Sequence, residues 1–320
     1  MKSNKRFIFS IFFLLFLGCS VQTSYSQKSY SKEFGIKSDN DVYTSAYYDR
    51  YYTNGTFLYF RYVSKSSNIK KINEFEIGQK MYTPQFSISK FPEAIDRPYA
   101  GYSFIKYSFT FFSKKNYSLK SSFELGILGP SAMAQELQAI IHKAYGYTLS
   151  DGWEYQIQNA LGINLGFQFI KPFSKAQQSR VDFTSVSSLK SGTIITEITT
   201  NIYGRINLLR PSLNSYENSV LFESNLNHKK EHQKKELFLF FKPQIGYALY
   251  NATIQGSFLN INSPITYKIN AFIYEIEIGI KYAIKRFDLS YSIIKHSKKT
   301  ETIQDKTNNY GSIRIAYKFN

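Results

Sequence analysis

The sequence has few of the residues that build covalent or metal-bound frameworks or that interrupt regular structure. Its 320 residues include one cysteine, Cys19, which excludes an intrachain disulfide framework and any cysteine-ligated zinc or iron–sulfur site. Proline and glycine are also sparse, at 8 and 17 residues, which favours long extended segments over a loop-rich chain. Beyond the N-terminal region no run of about 18 apolar residues occurs, so we expect no transmembrane helix in the mature chain.

Aromatic residues, in contrast, are abundant. The chain contains 28 Phe and 27 Tyr, and 43% of its residues are hydrophobic. A chain this apolar does not remain disordered, and aromatic residues are enriched in β-strands. The composition therefore favours a β-rich chain that is long enough for one large domain.

The N-terminus has the pattern of an export signal. Three cationic residues among the first six precede an apolar run over 7–18, which is too short to cross a bilayer as a helix. The triplet Ser24-Tyr25-Ser26 is a small-x-small cleavage site. We therefore predict a signal peptide over 1–26 and one mature domain over 27–320, with lipidation at Cys19 as the alternative.

The formal charge is +17, and the chain stays strongly basic without the predicted signal peptide. An exported basic protein is expected to meet anionic lipid head groups or phosphates rather than nucleic acid. Lysines that only keep the surface solvated are the alternative interpretation.

Most of the mature chain alternates between apolar and polar residues in segments of about ten residues, which is typical of an outer-membrane β-barrel. In the last segment, apolar Ile313, Ile315 and Tyr317 alternate with Arg314 and Lys318. Soluble β-sandwiches also alternate, but their strands average about 5 to 6 residues, so the segment length favours a barrel.

Twelve such segments predict an all-β, antiparallel transmembrane barrel of about 12 strands. A barrel of this size is narrow, and we expect side chains to fill its interior. The predicted strands span 33–41, 53–64, 73–82, 99–113, 116–128, 160–170, 179–189, 196–208, 236–249, 273–283, 285–296 and 309–319.

One segment departs from the alternation. The residues from Ser131 to Tyr145 predict a helix, with Pro130 before them and Gly146 after them. On a helical wheel the apolar residues share one face, which we expect to anchor the helix, and a polar stripe faces away from it. The apolar face contains Met133, Leu137, Ile140 and Ala144, and the polar stripe contains Gln135, Gln138 and His142.

The polar clusters fall in the loops that follow odd-numbered strands, which share one side of a barrel whose termini are periplasmic. We expect them to converge on an outer rim next to lipopolysaccharide. The first cluster holds Asn40, Asp41, Asp49 and Thr53, the second spans 96–101, and the third holds the helix with Asp151, Trp153, Gln156 and Asn159.

Two of these clusters suggest chemistry. His142 has the side chain of a general base near neutral pH, and Asn40 and Asp41 offer adjacent oxygen ligands for a hard cation such as calcium. Structural interpretations stay open: a helix histidine that only caps or packs, an Asn-Asp turn, an Asp96–Arg97 ion pair, and Trp153 as an interfacial anchor.

Taken in chain order, the motifs resemble those of the LpxR-type lipid A 3′-O-deacylases. All of them lie between residues 40 and 159, and the rest of the chain resembles the family only as amphipathic strands. The motifs are Asn40-Asp41, Asp49-x-x-Tyr52-Thr53-Asn54-Gly55, Asp96-Arg97-Pro98-Tyr99-Ala100-Gly101, Gly129-Pro130-x-Ala132-x-x-Gln135-Glu136-x-Gln138-x-x-x-His142 and Gly152-Trp153-x-x-Gln156-x-x-Asn159.

The resemblance implies an outer-membrane barrel with a site between its wall and the outer-side helix. It also implies calcium-dependent hydrolysis of the 3′ acyloxyacyl ester of lipid A. By that resemblance His142 activates water, Asp41 and Asn40 place the cation and polar substrate groups, and Thr53 lies in the same pocket. The residues expected in support are Gln135, Gln138, Asp96, Arg97 and Asp151.

One position departs from the family. At least one member has a glutamate six residues after the histidine, where this chain has Thr148, and Asp151 is the candidate replacement. Two further interpretations stay open, namely an inactive structural or binding barrel and an outer-membrane phospholipase. A simple porin is disfavoured because the predicted barrel is narrow.

Overall fold

The computed structural model describes residues 29–44, 50–64, 69–85, 91–173, 179–209, 213–227, 235–305 and 307–320. The predicted signal peptide, Cys19 and Asp49 lie outside the described residues. Among those residues, no helix is both long enough and apolar enough to cross a membrane.

Twelve antiparallel strands form a closed barrel, in which each strand pairs with its neighbours in sequence and β1 pairs with β12. The predicted fold class and all twelve predicted segments are confirmed, with ends shifted by a few residues. The strands are β1 (Lys32–Asn40), β2 (Tyr51–Val63), β3 (Lys71–Thr83), β4 (Ala100–Ser113), β5 (Tyr117–Leu128), β6 (Ala160–Pro172), β7 (Val181–Gly192), β8 (Ile195–Asn207), β9 (Glu236–Asn251), β10 (Phe272–Ile284), β11 (Phe287–Ser297) and β12 (Thr307–Phe319).

The alternation along the strands separates an apolar outer surface from a polar lumen. On β12, Ile315 is 51% exposed on the outside, whereas Arg314 and Lys318 are buried on the inside. The inward charges have partners: Lys318 Nζ lies 2.7 Å from Asp288 Oδ1. Pairing is required because a buried charge without a partner is strongly destabilising.

The two ends of the barrel differ in their connections. The start of the first described segment and the C-terminal residue lie at one end, the termini end, where Ser31 N donates to Asn320 Oδ1 over 2.9 Å. The opposite end, the rim, carries the connections 84–99, 129–159 and 252–271. Long loops are typical of the extracellular side of outer-membrane barrels, so the rim is expected to face outward.

Two α-helices lie at the rim: α1 (Ala134–Tyr145) between β5 and β6, and α2 (Ala252–Gln255) after β9. The predicted start of α1 at Ser131 is wrong. A 3₁₀ turn over Pro130–Ala132 comes first, and Met133 has φ of 57°, in the left-handed region. This residue separates the turn from the helix because an α-helix requires negative φ.

One long connection, between β8 and β9, enters the lumen from the termini end. We call its described residues 213–227 the plug. Its side chains Val220, Leu221 and Leu226 are buried, and the ring of Tyr216 packs 6.2 Å from that of Phe112 on β4. Side chains were expected to fill the interior, and those of the plug loop fill part of it in addition to those of the strands.

Candidate active site at the rim

The position of α1 is set by the backbone on either side of it. Gly129 has φ of 99°, and a Cβ at this residue would lie 2.7 Å from Asn159 N, so only glycine fits this turn. Asn159 Oδ1 accepts from Ser131 N at 2.8 Å, which holds the turn against the start of β6. At the other end, Gly146 in the left-handed region ends the helix.

A close contact docks α1 on the barrel wall. A Cβ at Gly101 of β4 would lie 2.5 Å from the Cβ of Ala134, so both residues must be small for the helix to approach the strand. Ala134 belongs to a buried apolar cluster with Met81 of β3, Tyr99 and Trp153. The helix is thus fixed to the outer ends of β3 and β4.

The orientation of α1 is the reverse of the predicted one. Gln138 and His142 are buried, with 3% and 6% exposure, whereas Met133 and Ile140 are 61% and 65% exposed. Gln135, predicted in the same polar stripe, is exposed. The polar side chains are turned inward because they find hydrogen-bond partners there, which offset the cost of burying them.

His142 is held by the main chain. Its Nδ1 lies 2.6 Å from the carbonyl oxygen of Thr148; because a carbonyl only accepts, this contact places the proton on Nδ1 and makes Nε2 the basic nitrogen of the neutral ring. The ring of Tyr147 meets the imidazole edge-on at 5.8 Å. The position that departs from the family, Thr148, therefore contributes its backbone.

The remaining helix-side candidates are arranged around Trp153. Its Nε1 donates to Gln138 Oε1 at 2.8 Å, and the indole is 2% exposed. The alternative of an interfacial anchor is therefore wrong for Trp153. Asp151 has an exposed side chain, and its carbonyl oxygen accepts from the hydroxyl of Tyr99 at 2.6 Å. Burial raises the pKa of Tyr99, with a further contribution from Asp151, so the phenol stays a neutral donor.

Asn40 and Asp41 lie where β1 ends and a 3₁₀ turn begins. Asn40 Oδ1 accepts from Val42 N at 2.8 Å, which is the turn chemistry considered as the structural alternative. Asp41 is fully buried, and its Oδ2 accepts from Arg50 N at 2.9 Å. A buried carboxylate at the rim is more than an ordinary loop turn requires.

Thr53 lies at an irregularity of β2, where the register with β3 shifts between Tyr52 and Asn54. Its hydroxyl is 2.6 Å from that of Thr83 at the end of β3, and the Thr53 side chain is buried. Bulges of this kind commonly re-aim a side chain near an active site.

Asp96 and Arg97 do not form the simple ion pair considered from the sequence, because their side chains hydrogen-bond to different partners. Asp96 accepts from the hydroxyl of Tyr51 at 2.9 Å and from Gln85 N at 3.0 Å. Arg97 donates to Thr253 Oγ1 of α2 at 3.0 Å. Burial lowers the pKa of Arg97 to about 10, against the opposing influence of Tyr82 and Asp96, so the guanidinium stays charged at neutral pH.

The predicted site residues thus form two groups at the rim, one around α1 and one around the ends of β1 and β2. Met81 links them: it is buried in the cluster with Ala134 and Trp153, and it pairs with Asn54, the neighbour of Thr53. Both groups therefore lie over adjacent strands. That they act on one substrate stays a prediction.

Four side chains hold these groups in place. Trp153 and Tyr99 support the helix side; both belong to the sequence motifs, but the sequence did not predict their contacts. Tyr51 and Thr83 support the strand side, and sequence reasoning missed them because both are common strand residues.

The sequence predicted that Asn40 and Asp41 bind calcium. Calcium prefers six to eight oxygen ligands, and Asp41 and Asn40 offer a carboxylate and an amide oxygen. No group of three or more His, Cys, Asp or Glu side chains suited to a metal occurs in the part of the chain that the structure describes. Two protein donors would leave most of the coordination of a calcium ion to water or substrate, and calcium binding here stays a prediction.

The family model described as "Outer membrane protein LpxR" matches residues 9–319. LpxR from Salmonella typhimurium has a similar structure, with a TM-score of 0.74 and 20% sequence identity, covering 90% of this chain and 100% of that one.

Other barrels are less similar. An outer membrane channel from Pseudomonas putida F1 has a TM-score of 0.46 and 9% identity, covering 94% of this chain and 100% of that one. The β domain of the Bordetella autotransporter BrkA has a TM-score of 0.45 and 8% identity, covering 91% and 99%. No curated protein matches the sequence.

Proposed function

Because this chain belongs to the LpxR family of outer-membrane proteins, we propose that it is a lipid A 3′-O-deacylase that works from the rim on the outer leaflet. The observation that carries the proposal is the buried His142, whose Nδ1 is held by the Thr148 carbonyl. A histidine fixed in one tautomer on a membrane-side rim is suited to base catalysis on a lipid.

His142 acts as the general base. Its Nε2 takes a proton from a water molecule while the water oxygen attacks the carbonyl carbon of the 3′ ester. The tetrahedral intermediate then collapses, the bond between the carbonyl carbon and the sugar oxygen breaks, and Nε2 returns the proton to that oxygen. The products are lipid A with a free 3′ hydroxyl and the released acyloxyacyl chain as a carboxylic acid.

The Thr148 carbonyl has the orienting role that a carboxylate has in many catalytic triads. A neutral carbonyl fixes the ring and its tautomer, but it stabilises the imidazolium less than a carboxylate does. The glutamate present in at least one family member is therefore dispensable for orientation. Gln138, held by Trp153, lies one turn earlier on the same face of α1 and positions the substrate or the water.

Asp41, Asn40 and Thr53 serve the substrate side of the reaction. Asp41 and Asn40 would hold a calcium ion together with oxygens of water or substrate, consistent with the oxygen chemistry of the pair. When bound, calcium would polarise the ester carbonyl and stabilise negative charge on its oxygen. The Thr53 hydroxyl supplies a further polar contact at the β2 bulge.

The decisive experiment is mass spectrometry of lipid A from cells that express the protein in calcium-containing medium. We expect loss of the 3′ acyloxyacyl group with wild type and a fall in rate of about 10²–10⁴-fold for His142→Ala. Lys143→Ala, a change of an exposed neighbour on the same helix, should keep the activity.

Folding and substrate class are checked separately. Each variant should still show the heat-modifiable migration of a folded barrel, which separates loss of chemistry from loss of fold. Unchanged lipid A in wild-type cells would contradict the proposal. Cleavage of glycerophospholipid but not of lipopolysaccharide would assign a phospholipase instead, and a chelator should abolish activity if calcium takes part.

A further inference from the structure

The plug contacts the lumen wall on several sides. Side chains from seven strands, β2, β4 and β8–β12, contact residues 213–227 through hydrogen bonds, ion pairs or ring packing. Its backbone is also tied to the chain before β1, since Asn227 N donates to Tyr30 O at 2.8 Å. A segment attached to opposite walls spans the bore of the barrel.

On one side of the bore the attachment is ionic. Glu223 lies between Arg61 of β2, at 2.5 Å, and Arg314 of β12, with which it forms a second ion pair. Both arginines also pair with Glu33 of β1, at 2.8 and 2.9 Å. The plug thus completes a buried network whose charges are matched only when Glu223 is in place.

On the opposite side the attachment uses hydrogen bonds to the plug backbone and to Ser219. Arg205 of β8 donates to Ser219 Oγ at 2.7 Å, and Glu236 of β9 accepts from Val220 N at 2.7 Å. Lys281 of β10 donates to Leu221 O at 2.8 Å. Between the two attachments, the ring of Phe222 packs 5.6 Å from that of Tyr203.

The rim end is covered as well. Arg97 reaches from the β3–β4 loop to Thr253 of α2, and the hydroxyl of Tyr267 donates to the carbonyl oxygen of Ile95. These contacts join the β9–β10 connection, which contains α2, to the β3–β4 loop. The two loops come from opposite sides of the barrel, so together they lie across its rim opening.

Between the covered rim and the plug lies a cavity of about 590 Å³, bounded by Arg97 at the rim side and by Phe222 of the plug. Its lining has more cationic than anionic side chains. The cations are Lys37, Lys80, Arg97, Lys106, Lys120, Lys190, Lys242 and Lys299, and the carboxylates are Asp39, Glu76, Glu124, Glu197 and Glu275.

We propose that the plug is a permeability seal, and that the lumen it closes is anion-selective when the plug is removed. A barrel that acts on lipid at its rim has no need of an open lumen. Without the plug, the polar lumen would leave a path for ions across the membrane. The selectivity follows from the surplus of ammonium and guanidinium groups, because rings of Lys and Arg favour anions in pores.

The test is conductance of the purified full-length protein in planar lipid bilayers with potassium chloride. Wild type should show no steady current. A variant in which residues 213–227 are replaced by a Gly-Ser segment of equal length should conduct, with chloride more permeant than potassium. Glu223→Gln should give intermittent openings of the same selectivity, because the plug stays present but loses its ionic attachment.

Glu301→Gln is the matched control, since it removes one exposed carboxylate at the rim without touching the plug, and it should stay closed. Heat-modifiable migration confirms that each variant is folded. If the replacement variant fails to fold, Glu223→Gln decides alone. Steady current in wild type, or silence in every folded plug variant, would overturn the seal, and preference for potassium would overturn the selectivity.

Discussion

The two ends of the barrel bury polar side chains in different ways. At the termini end, Glu223 of the plug is matched by two arginines, so opposite charges balance. At the rim, His142 and Gln138 are buried with neutral partners, a carbonyl oxygen and an indole N–H.

The difference teaches what each end does. Hydrogen bonds between oppositely charged groups are stronger than those between neutral groups, and they fix the plug in one place. A neutral partner on one atom of an imidazole or amide orients the side chain, and for an imidazole it also sets which nitrogen carries the proton in the neutral form. In the two proposals made above, the Glu223 network at the termini end serves closure and the His142 group at the rim serves chemistry.

The largest loss of stability should come from a substitution in the ion-pair network around Glu223 at the termini end. Arg61→Ala removes the cation that Glu33, Glu74 and Glu223 share and leaves Arg314 as the arginine that pairs with both Glu33 and Glu223. Loss of one partner from a buried ion pair costs about 3–5 kcal/mol. Denaturant unfolding followed by heat-modifiable migration should show this loss of stability, while deacylation per folded molecule stays unchanged.

Lys114→Ala is the control for charge, because Lys114 is exposed in the turn between β4 and β5. It should unfold like wild type. A folded Arg61→Ala protein with normal stability but little activity would contradict the division between the two ends.

A smaller loss of stability should come from removing the hydrogen bond between Trp153 and Gln138 at the rim. Trp153→Phe removes the N–H that donates to Gln138 Oε1, and loss of one hydrogen bond costs about 0.5–1.5 kcal/mol. We expect a fall in kcat/KM together with this modest destabilisation. The double variant Trp153→Phe, Gln138→Leu should recover part of the stability, because a leucine beside the phenylalanine needs no hydrogen bond from it, but not activity.

The double variant distinguishes a structural role of Gln138 from a role in the reaction. Recovery of both properties would mean that Gln138 has no part in the reaction and that Trp153 only fills space. The measurement is deacylation rate beside the denaturant midpoint for the same preparations.

The smallest effect should be at Thr148. Its contact with His142 is made by the carbonyl oxygen and its side chain is exposed, so Thr148→Ala should change stability by at most about 0.5 kcal/mol and leave the deacylation rate near that of wild type. A large loss of activity would show that the Thr148 hydroxyl takes part in the reaction, and not only the backbone carbonyl.

The strands were predictable because each faces an apolar exterior and a polar lumen, which imposes a period of two on the sequence. The faces of α1 were predictable too, but not which of them is buried. The wheel that groups Gln138 with His142 carries no information about the Trp153 indole or the Thr148 carbonyl that make burial of those side chains favourable.

The plug was missed for a related reason. Residues 213–227 have neither the strand nor the helix period, and their strongest contacts join Glu223 to Arg61 and Arg314, far away in the chain. Burial of a loop is decided by such long-range partners, which only the folded barrel supplies. The proximity of Asp41 to the helix side likewise depends on barrel closure and stays a prediction.

The seam between the first and last strands has a consequence for biogenesis. Asn40 pairs with Gly311, and Asp39 accepts from the Ser312 hydroxyl at 2.7 Å, so the outer end of β1 gains one of its two neighbours only when β12 arrives. Before the barrel closes, Asn40 has its β2 neighbour Asn54 but lacks its β12 neighbour Gly311. With the chemistry proposed here, we expect hydrolytic activity only after β1 has paired with β12 and the barrel is closed.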